Sequence, residues 1–330
     1  MNNILTPRIL GSIATGLVVL LILIGWYWSQ EPEVFDVNEA AANSALQNDE
    51  SIVAGYTVTT ALIEVGDTLL HKSGGYLAND VTPPSVFVDN IPAWEFGALE
   101  MMRDLALAMR KDFSRSQSQS VENPLLVQAQ PKLNIDHRSW LLPSAESQYG
   151  EALELLRQYR NELGDRNIDS SQFYTRADNL RDWLKQVEKR LGSLSQKLSA
   201  SVGTEVLNTD LAGDPQAHQS TPTQAKRLTK TSWFKLDDNF YEARGASWAL
   251  LHFLKAIEHD FADVLAKKNA TVSLQQIIRE LEATQQTVWS PMILNGSGFG
   301  ALANHSLVMA NYISRANAAL IELTELLNQG

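Results

Sequence analysis

The chain has 330 residues, with 27 basic and 38 acidic side chains, a formal net charge of −11 and no cysteine. This negative charge argues against a general nucleic-acid binder, because neutralising phosphates requires clustered lysine and arginine, so we predict no nucleic-acid partner. The lack of cysteine excludes disulfides, thiolate metal sites, cysteine nucleophiles and iron–sulfur clusters. The length suffices for one large helical domain or two small ones.

The first predicted element is an uncharged apolar run from Ile9 to Trp28. Its centre, from Leu17 to Ile24, is entirely aliphatic, and about 20 apolar residues are enough to cross a bilayer. Aromatic residues at 26–28 end the run, as is typical of a membrane interface. We predict a transmembrane anchor that makes the lipid bilayer the first partner. A cleaved signal peptide is the alternative, although bulky aromatics replace the small residues of a cleavage site.

Charges on the two sides of this run differ in sign. Arg8 precedes it, whereas Glu31, Glu33 and Asp36 follow it. The positive-inside rule therefore places residues 1–8 in the cytoplasm and the rest of the chain on the far side of the membrane.

Residues 29–50 are acidic and lack sustained apolar periodicity, so we predict a tether there. In the first helical part, residues 51–203, apolar side chains recur at spacings of three and four, which indicates α-helices. The predicted helices cover about 51–73, 94–118, 145–163 and 173–200. The last of them carries an unbroken seam from Phe173 to Leu198 that is typical of a coiled-coil-like helix. The proline-rich segment 76–92 between the first two is a long loop, and such loops are often functional.

Residues 204–232 are polar and contain two prolines, so we predict a flexible linker. The second helical part, residues 233–330, carries three more seams, at about 250–264, 274–288 and 309–327. Three glycines at 296–300 precede the last one, and we interpret them as a turn, because no strand precedes them for phosphate binding. Together the patterns predict an all-α fold, an antiparallel bundle of about seven helices in which both parts pack as one domain.

Several stretches are similar to the DUF2333 family of proteobacterial proteins of unknown function. They are LHKSGGYLAND at 70–80, WEFG at 94–97, SRSQSQS at 114–120, RADNL at 176–180 and NGSGFG at 295–300. The similarity runs from about Val53 to the C-terminus. It implies a bacterial, membrane-anchored helical protein. With the orientation given by the flanking charges, we predict that the anchor lies in the inner membrane and the bundle in the periplasm. It implies no activity, catalytic residue or cofactor.

Arginines recur beside small residues, which let helices approach closely and partly enclose a guanidinium. Structural ion pairs are the first interpretation of these arginines, and a polar groove that binds an anionic or glycan ligand is the second. His305 follows the glycine-rich turn, where helix capping or core hydrogen bonding competes with a site role. The groove candidates are Glu95, Asp104, Arg115, Arg176, Asp178, Arg244, His305 and Arg315.

A metal site is a weaker hypothesis. His252, His259 and Asp263 share one helix face and could hold zinc, although that face borders the seam, where solvated residues are common. We predict no metal and no other cofactor.

No catalytic motif of high specificity occurs in the sequence, such as a Gly-x-Ser-x-Gly elbow after a strand. We therefore favour a non-enzymatic scaffold or binding protein with an envelope protein as its partner. The alternative is an envelope hydrolase acting on a wall polymer or a lipid, with carboxylates such as Glu95, Glu100 or Asp104. Its site would lie where the 76–95 loop and the 296–305 turn converge on one cleft.

Overall fold

The computed structural model describes residues 7–117, 120–165, 170–207, 226–290 and 292–329. Residues 1–6 of the predicted cytoplasmic segment and residues 208–225 of the predicted linker lie outside these ranges. Among the described residues, eleven α-helices make up nearly all of the regular structure. The all-α fold class predicted from the sequence is confirmed.

The helices form in the following order along the chain. They are α1 (Pro7–Trp28), α2 (Val37–Asn48), α3 (Tyr56–His71), α4 (Asn90–Ala108), α5 (Pro124–Leu133), α6 (Ala145–Gly164), α7 (Ala177–Ser199), α8 (Leu236–Asp260), α9 (Ala262–Lys267), α10 (Thr271–Thr284) and α11 (His305–Asn328). One π-helical turn, Met109–Phe113, extends α4. Short 3₁₀ turns lie at Ser85–Phe87 and Trp233–Lys235. Strands β1 (Thr204–Leu207) and β2 (Lys226–Thr229) pair antiparallel, so two short strands occupy the described ends of the segment predicted as a flexible linker.

The described residues hold ten helices after α1, rather than about seven, because α2, α5 and α9 were not predicted. In α2 the buried stripe consists of Val37 and two alanines, which gives little hydrophobic periodicity. In α5 the prolines suggested a loop. Pro124, however, stands in the first turn, where its missing N–H costs nothing, and the Asn123 side chain caps the helix by accepting from the Leu125 and Leu126 amides.

The helix α1 contains a span, Ile9–Trp28, that is long and apolar enough to cross a membrane. Its last turn rests on the loop between α3 and α4. A Cβ added to Gly74 would lie 2.7 Å from the Trp28 ring, so this ring packs directly on the glycine backbone. A Cβ added to Gly25 would be in van der Waals contact with Pro84 and Val88, at 3.6 and 3.7 Å. We call the end of the bundle that meets α1 the α1-side end.

The residues that follow α1 are not a free tether but pack along α8. Three contacts with successive turns of α8 hold them: Glu31 Oε2 to Arg244 Nε (2.6 Å), Glu33 O to Trp248 Nε1 (3.2 Å) and Phe35 N to His252 Nε2 (3.1 Å). Periodicity could not reveal this segment, because it is extended and its partners lie more than 200 positions away in the sequence. The contacts fix α1 to the bundle instead of leaving it on a flexible connection.

One hydrophobic core contains buried residues from both helical parts. The helices α4 and α8 cross closely because glycines replace side chains at their contact. A Cβ on Gly97 would lie 1.9 Å from the Glu242 carbonyl oxygen, and one on Gly245 would lie 1.9 Å from that of Trp94. The predicted seam of α7 is buried, and α7 packs against α11, where the Ser195 and Ser314 hydroxyls are 2.6 Å apart.

The end of the bundle opposite α1, which we call the distal end, is closed by aromatic rings. The Phe113 ring lies 5.2 Å from that of Phe173 and 5.4 Å from that of Phe261, which are ordinary aromatic packing distances. At the same end the Val58 amide donates to the Asp260 carboxylate at 2.9 Å. Because α3 begins there and α8 ends there, these two helices run antiparallel.

The long loops collect at the α1-side end. Loop 72–89 contacts loop 134–144 through the Tyr76 hydroxyl, which donates to the His137 carbonyl oxygen at 3.2 Å. The end of α10 lies beside the start of α8, since Arg244 donates to the Thr284 carbonyl oxygen at 2.9 Å. The helix α11 also starts there, with the His305 ring 6.4 Å from that of Phe240.

Candidate functional site

The α1-side end contains an open cleft of about 610 Å³, bounded by residues from 77–96, by residues 137–138 and by residues from 235–242. We call it the α1-side cleft. Three elements that are distant in sequence form its walls: the loop before α4 with the first turns of α4, the loop before α6, and the start of α8. The proline-rich loop that the sequence singled out supplies one of these walls.

Carboxylates dominate the charges in this cleft. Among the described residues that line it, four are acidic and two are basic: Asp80, Asp89, Asp238 and Glu242 against Arg138 and Lys235. Burial raises the pKa of Asp238, and the negative charges of Asp89 and Asp237 raise it further. Carboxylates that repel each other in this way gain when a cation approaches. The cleft therefore favours a positively charged ligand.

The other side chains of the cleft make one wall more apolar. The His137 ring packs against the Phe96 ring at a centroid distance of 4.7 Å. Burial lowers the pKa of His137, and the nearby Arg138 lowers it further, so the imidazole is neutral at neutral pH. The Glu242 carboxylate is bound by Lys197 at 2.7 Å. Among the described residues that line the cleft, Asp80, Asp89 and Asp238 are the carboxylates that form no ion pair.

A buried ion pair stands behind the cleft wall. Glu95, in the first turns of α4, has a fully buried side chain, and its Oε1 lies 2.5 Å from the ammonium of Lys72. The backbone amides of Leu77 and Ala78 also donate to this carboxylate, at 2.9 and 2.8 Å. The Lys72 ammonium donates in turn to the Gly75 carbonyl oxygen. We call these groups the Glu95 clamp, because they close the loop of residues 72–78 onto α4.

Burial raises the pKa of Glu95 to about 7, although Lys72 and the two amides lower it again in part. Such a value resembles that of a general acid or base. The geometry assigns a different role, because both carboxylate oxygens already accept hydrogen bonds from the protein itself. The Glu95 side chain is also absent from the lining of the cleft. It therefore holds the loop in place and is not positioned to meet a ligand.

The candidate arginines do not line the cleft, although Arg176 lies beside Arg115, since it donates to the Ser116 carbonyl oxygen at 2.9 Å. Each of them forms an ion pair with a neighbouring carboxylate, as the first interpretation of the sequence states. The pairs are Arg115–Glu122 (3.9 Å), Arg176–Asp178 (2.7 Å), Arg244–Glu31 (2.6 Å) and Arg315–Glu280 (2.5 Å). Asp104 binds Arg190 at 3.0 Å. The structure therefore does not bring the eight groove candidates together in one site.

His305 supports the glycine-rich turn before α11. Its Nδ1 accepts a hydrogen bond from the Leu294 amide at 3.0 Å, while the neighbouring Asn304 caps the helix by accepting from the Leu307 amide. His305 also lines a second cavity of about 310 Å³. This cavity and the α1-side cleft share no lining residue, so loop 76–95 and turn 296–305 do not converge on one cleft.

Both histidines of the metal hypothesis are engaged within the protein, whereas Asp263 is exposed. The His252 Nδ1 donates to the Trp248 carbonyl oxygen at 2.7 Å and its Nε2 accepts from Phe35, while burial lowers its pKa to about 4. The Nδ1 atom of His259 lies 3.0 Å from the Asp260 carboxylate. Among the described residues, no group of three or more histidine and carboxylate side chains is placed to hold a metal ion.

Sequence reasoning missed the partners that decide these roles. Lys72, Glu31 and Arg190 lie 23, 213 and 86 positions from the groups they bind. A single sequence carries no pairing signal over such separations. The walls of the cleft at 137–138 and 235–242 were missed for the same reason, since only the fold places them opposite loop 76–92.

A family model for uncharacterised proteins conserved in bacteria (DUF2333) matches residues 3–330, which is essentially the whole chain. The chain therefore belongs to this family. No curated protein and no solved structure matches it.

Proposed function

We propose that this DUF2333 family member is a bacterial inner-membrane protein whose periplasmic bundle binds a basic segment of an envelope protein in the α1-side cleft. In this proposal α1 spans the membrane with its N-terminus in the cytoplasm. The protein acts as a scaffold and not as an enzyme. The observation that carries the proposal is the position of an acidic cleft directly beside the end of α1.

The packing of α1 supports an uncleaved anchor. Trp28 packs on Gly74, and Gly25 contacts the loop before α4, so the end of the apolar helix is part of the folded structure. A signal peptide that is removed would take these contacts with it. The ion pair between Glu31 and Arg244 adds a further attachment three residues after the end of α1.

The charges of the cleft support a basic partner. The carboxylates of Asp89 and Asp238 repel each other, and a lysine or arginine from a partner would relieve this repulsion. Complementary charge contributes mainly to specificity and to the rate of association, as a scaffold that selects one partner requires.

Topology is tested with a reporter fused after Gly330 in bacterial cells. A reporter that is active only outside the cytoplasm should be active, because α1 places the bundle in the periplasm. Activity of a cytoplasmic reporter at the same position would contradict the assignment.

Partner binding is tested by placing a photo-crosslinking residue at Asn239, which lines the cleft, in the full-length protein in cells. We expect a crosslinked protein adduct that is lost when Asp89→Lys and Asp238→Lys are combined. The matched control combines Asp263→Lys with Glu322→Lys, two exposed acids outside the cleft, and should retain the adduct. An adduct that survives the first pair, or no adduct at all, would show that the cleft does not bind a basic segment.

A further inference from the structure

In the part of the chain that the structure describes, the exposed aromatic side chains are confined to one end. Among the described residues, every exposed tryptophan and phenylalanine lies in α1 or in a loop of the α1-side end. They are Trp26 in α1, and Phe87, Trp140, Trp233, Phe234, Trp289 and Phe299 in the loops. At the distal end the phenylalanines are buried against one another. The exposed tryptophans and phenylalanines therefore lie at the same end of the bundle as α1.

Exposed aliphatic residues accompany these aromatics. Val81 and Val86 precede Phe87 in the loop before α4, and Leu141 and Leu142 follow Trp140. Three of the four loops adjoin the α1-side cleft, which Val86, Arg138 and Lys235 line. The fourth, between α10 and α11, joins the same end through the Arg244 contact with Thr284. Together the loops form a rim of apolar tips, which we call the apolar rim.

The position of α1 fixes the depth of this rim. The span from Ile9 to Trp28 has 20 residues. As a helix it measures about 30 Å, the thickness of the hydrocarbon core of a bilayer. Gly25 lies about 4.5 Å inside the end of that span, and Pro84 and Val88 contact it. Loop 81–88 must then lie at the depth of the headgroups and the first acyl carbons.

We infer that the apolar rim docks into the outer leaflet of the bilayer that holds α1, so that the bundle sits in the membrane interface and not above it. The lipid bilayer is the occupant because the rim is continuous with the membrane-spanning helix. Tryptophan is also the side chain enriched at this depth, since it joins an apolar ring to a polar N–H. This inference rests on the proposed anchoring by α1 and does not depend on the partner of the cleft.

The lack of cysteine makes a depth measurement direct, because each engineered cysteine can be labelled alone. The full-length protein carrying Phe87→Cys is labelled with an environment-sensitive fluorophore and reconstituted into protein-free vesicles of phosphatidylethanolamine and phosphatidylglycerol. Phe87 is 78% exposed, so the substitution leaves the core intact. We expect emission at shorter wavelength, a several-fold rise in intensity and strong quenching by lipids spin-labelled near the headgroup.

Two further sites calibrate the measurement. Val19→Cys, within α1, should be quenched by lipids spin-labelled deep in the acyl chain. Val121→Cys, an apolar residue at the distal end that is 91% exposed, should behave as in water. Position 121 shows the fluorescence of the label on an apolar surface in water, and position 19 shows its fluorescence inside the bilayer.

The outcomes distinguish the two proposals. If position 19 is embedded while position 87 resembles position 121, the rim does not dock and the inference is wrong, whereas the anchor stands. If position 19 is not embedded, the proposed anchoring itself fails. Shielding of position 87 in native membranes but not in pure lipid vesicles would identify a protein as the occupant and would overturn docking to lipid.

Discussion

The two ends of the bundle are closed by different chemistry. At the distal end the rings of Phe113, Phe173 and Phe261 fill the space between helices. At the α1-side end a buried ion pair between Lys72 and Glu95 ties the loop to α4. Apolar closure does not depend on protonation, whereas a buried carboxylate responds to pH. We therefore expect the distal end to stabilise the fold equally at any pH. The stability of the α1-side end should instead change with pH.

The largest effect expected at both low and high pH comes from breaking the distal closure. Phe113→Ala removes a fully buried ring, and we expect the free energy of unfolding to fall by about 3–5 kcal/mol. The loss should be the same at pH 5 and pH 8. It is measured by chemical denaturation of the full chain in detergent, with the exposed Val121→Ala as the control that leaves stability unchanged. A loss that depends on pH would contradict a purely apolar role.

The second effect breaks the α1-side closure. Lys72→Met leaves the Glu95 carboxylate buried without its cation, which should cost about 3–5 kcal/mol at pH 8. At pH 5 the loss should be smaller, because Glu95, whose pKa is about 7, then takes up a proton. The same denaturation measurement applies, with the exposed Lys111→Met at the distal end as the matched control. Equal losses at both pH values would show that Glu95 does not change its charge.

The smallest effect concerns the pH dependence of the unmodified protein. The pKa of Glu95 is about 7 in the folded state against a usual value of 4.5, so the folded state holds a proton that the unfolded chain has released. The contribution of Glu95 to stability is therefore lost as pH rises from about 5 to 8, by about 3 kcal/mol at most. Glu95→Gln should remove this part of the slope, whereas Phe113→Ala should retain it. If the free energy of unfolding changed with pH equally in the wild type and in Glu95→Gln, Glu95 would not be the cause of this pH dependence.

Sequence patterns predicted the long helices well because their apolar seams are regular. The predicted helix at 145–163 corresponds to α6, Ala145–Gly164, and the seam that ends at Leu198 corresponds to α7, Ala177–Ser199. The short helix α2 was missed because alanines form its buried stripe, and their burial leaves only a weak hydrophobic pattern. A helix could be predicted from the sequence where its apolar spacing is regular, whatever its importance to the fold.

The candidate site was predicted less completely, since it is formed by contacts between residues that lie far apart in the sequence. The long proline-rich loop 76–92 was singled out because loops of this length are often functional, and in the fold its residues line the cleft. Glu95 was selected for its place after that loop, but its role as part of a clamp depends on Lys72, which periodicity does not mark. The sequence analysis expected the arginines to need a carboxylate or a polar ligand, and in the fold Arg176, Arg244 and Arg315 pair with carboxylates of the same chain.

The contacts that bind residues 31–35 to α8 also have a mechanical consequence. Because these contacts hold the connection against the bundle, a tilt of α1 would turn the bundle with it. A membrane-spanning helix changes its tilt when the bilayer becomes thicker or thinner. With α1 in the membrane as proposed, the thickness of the bilayer would set the angle at which the cleft faces its surroundings.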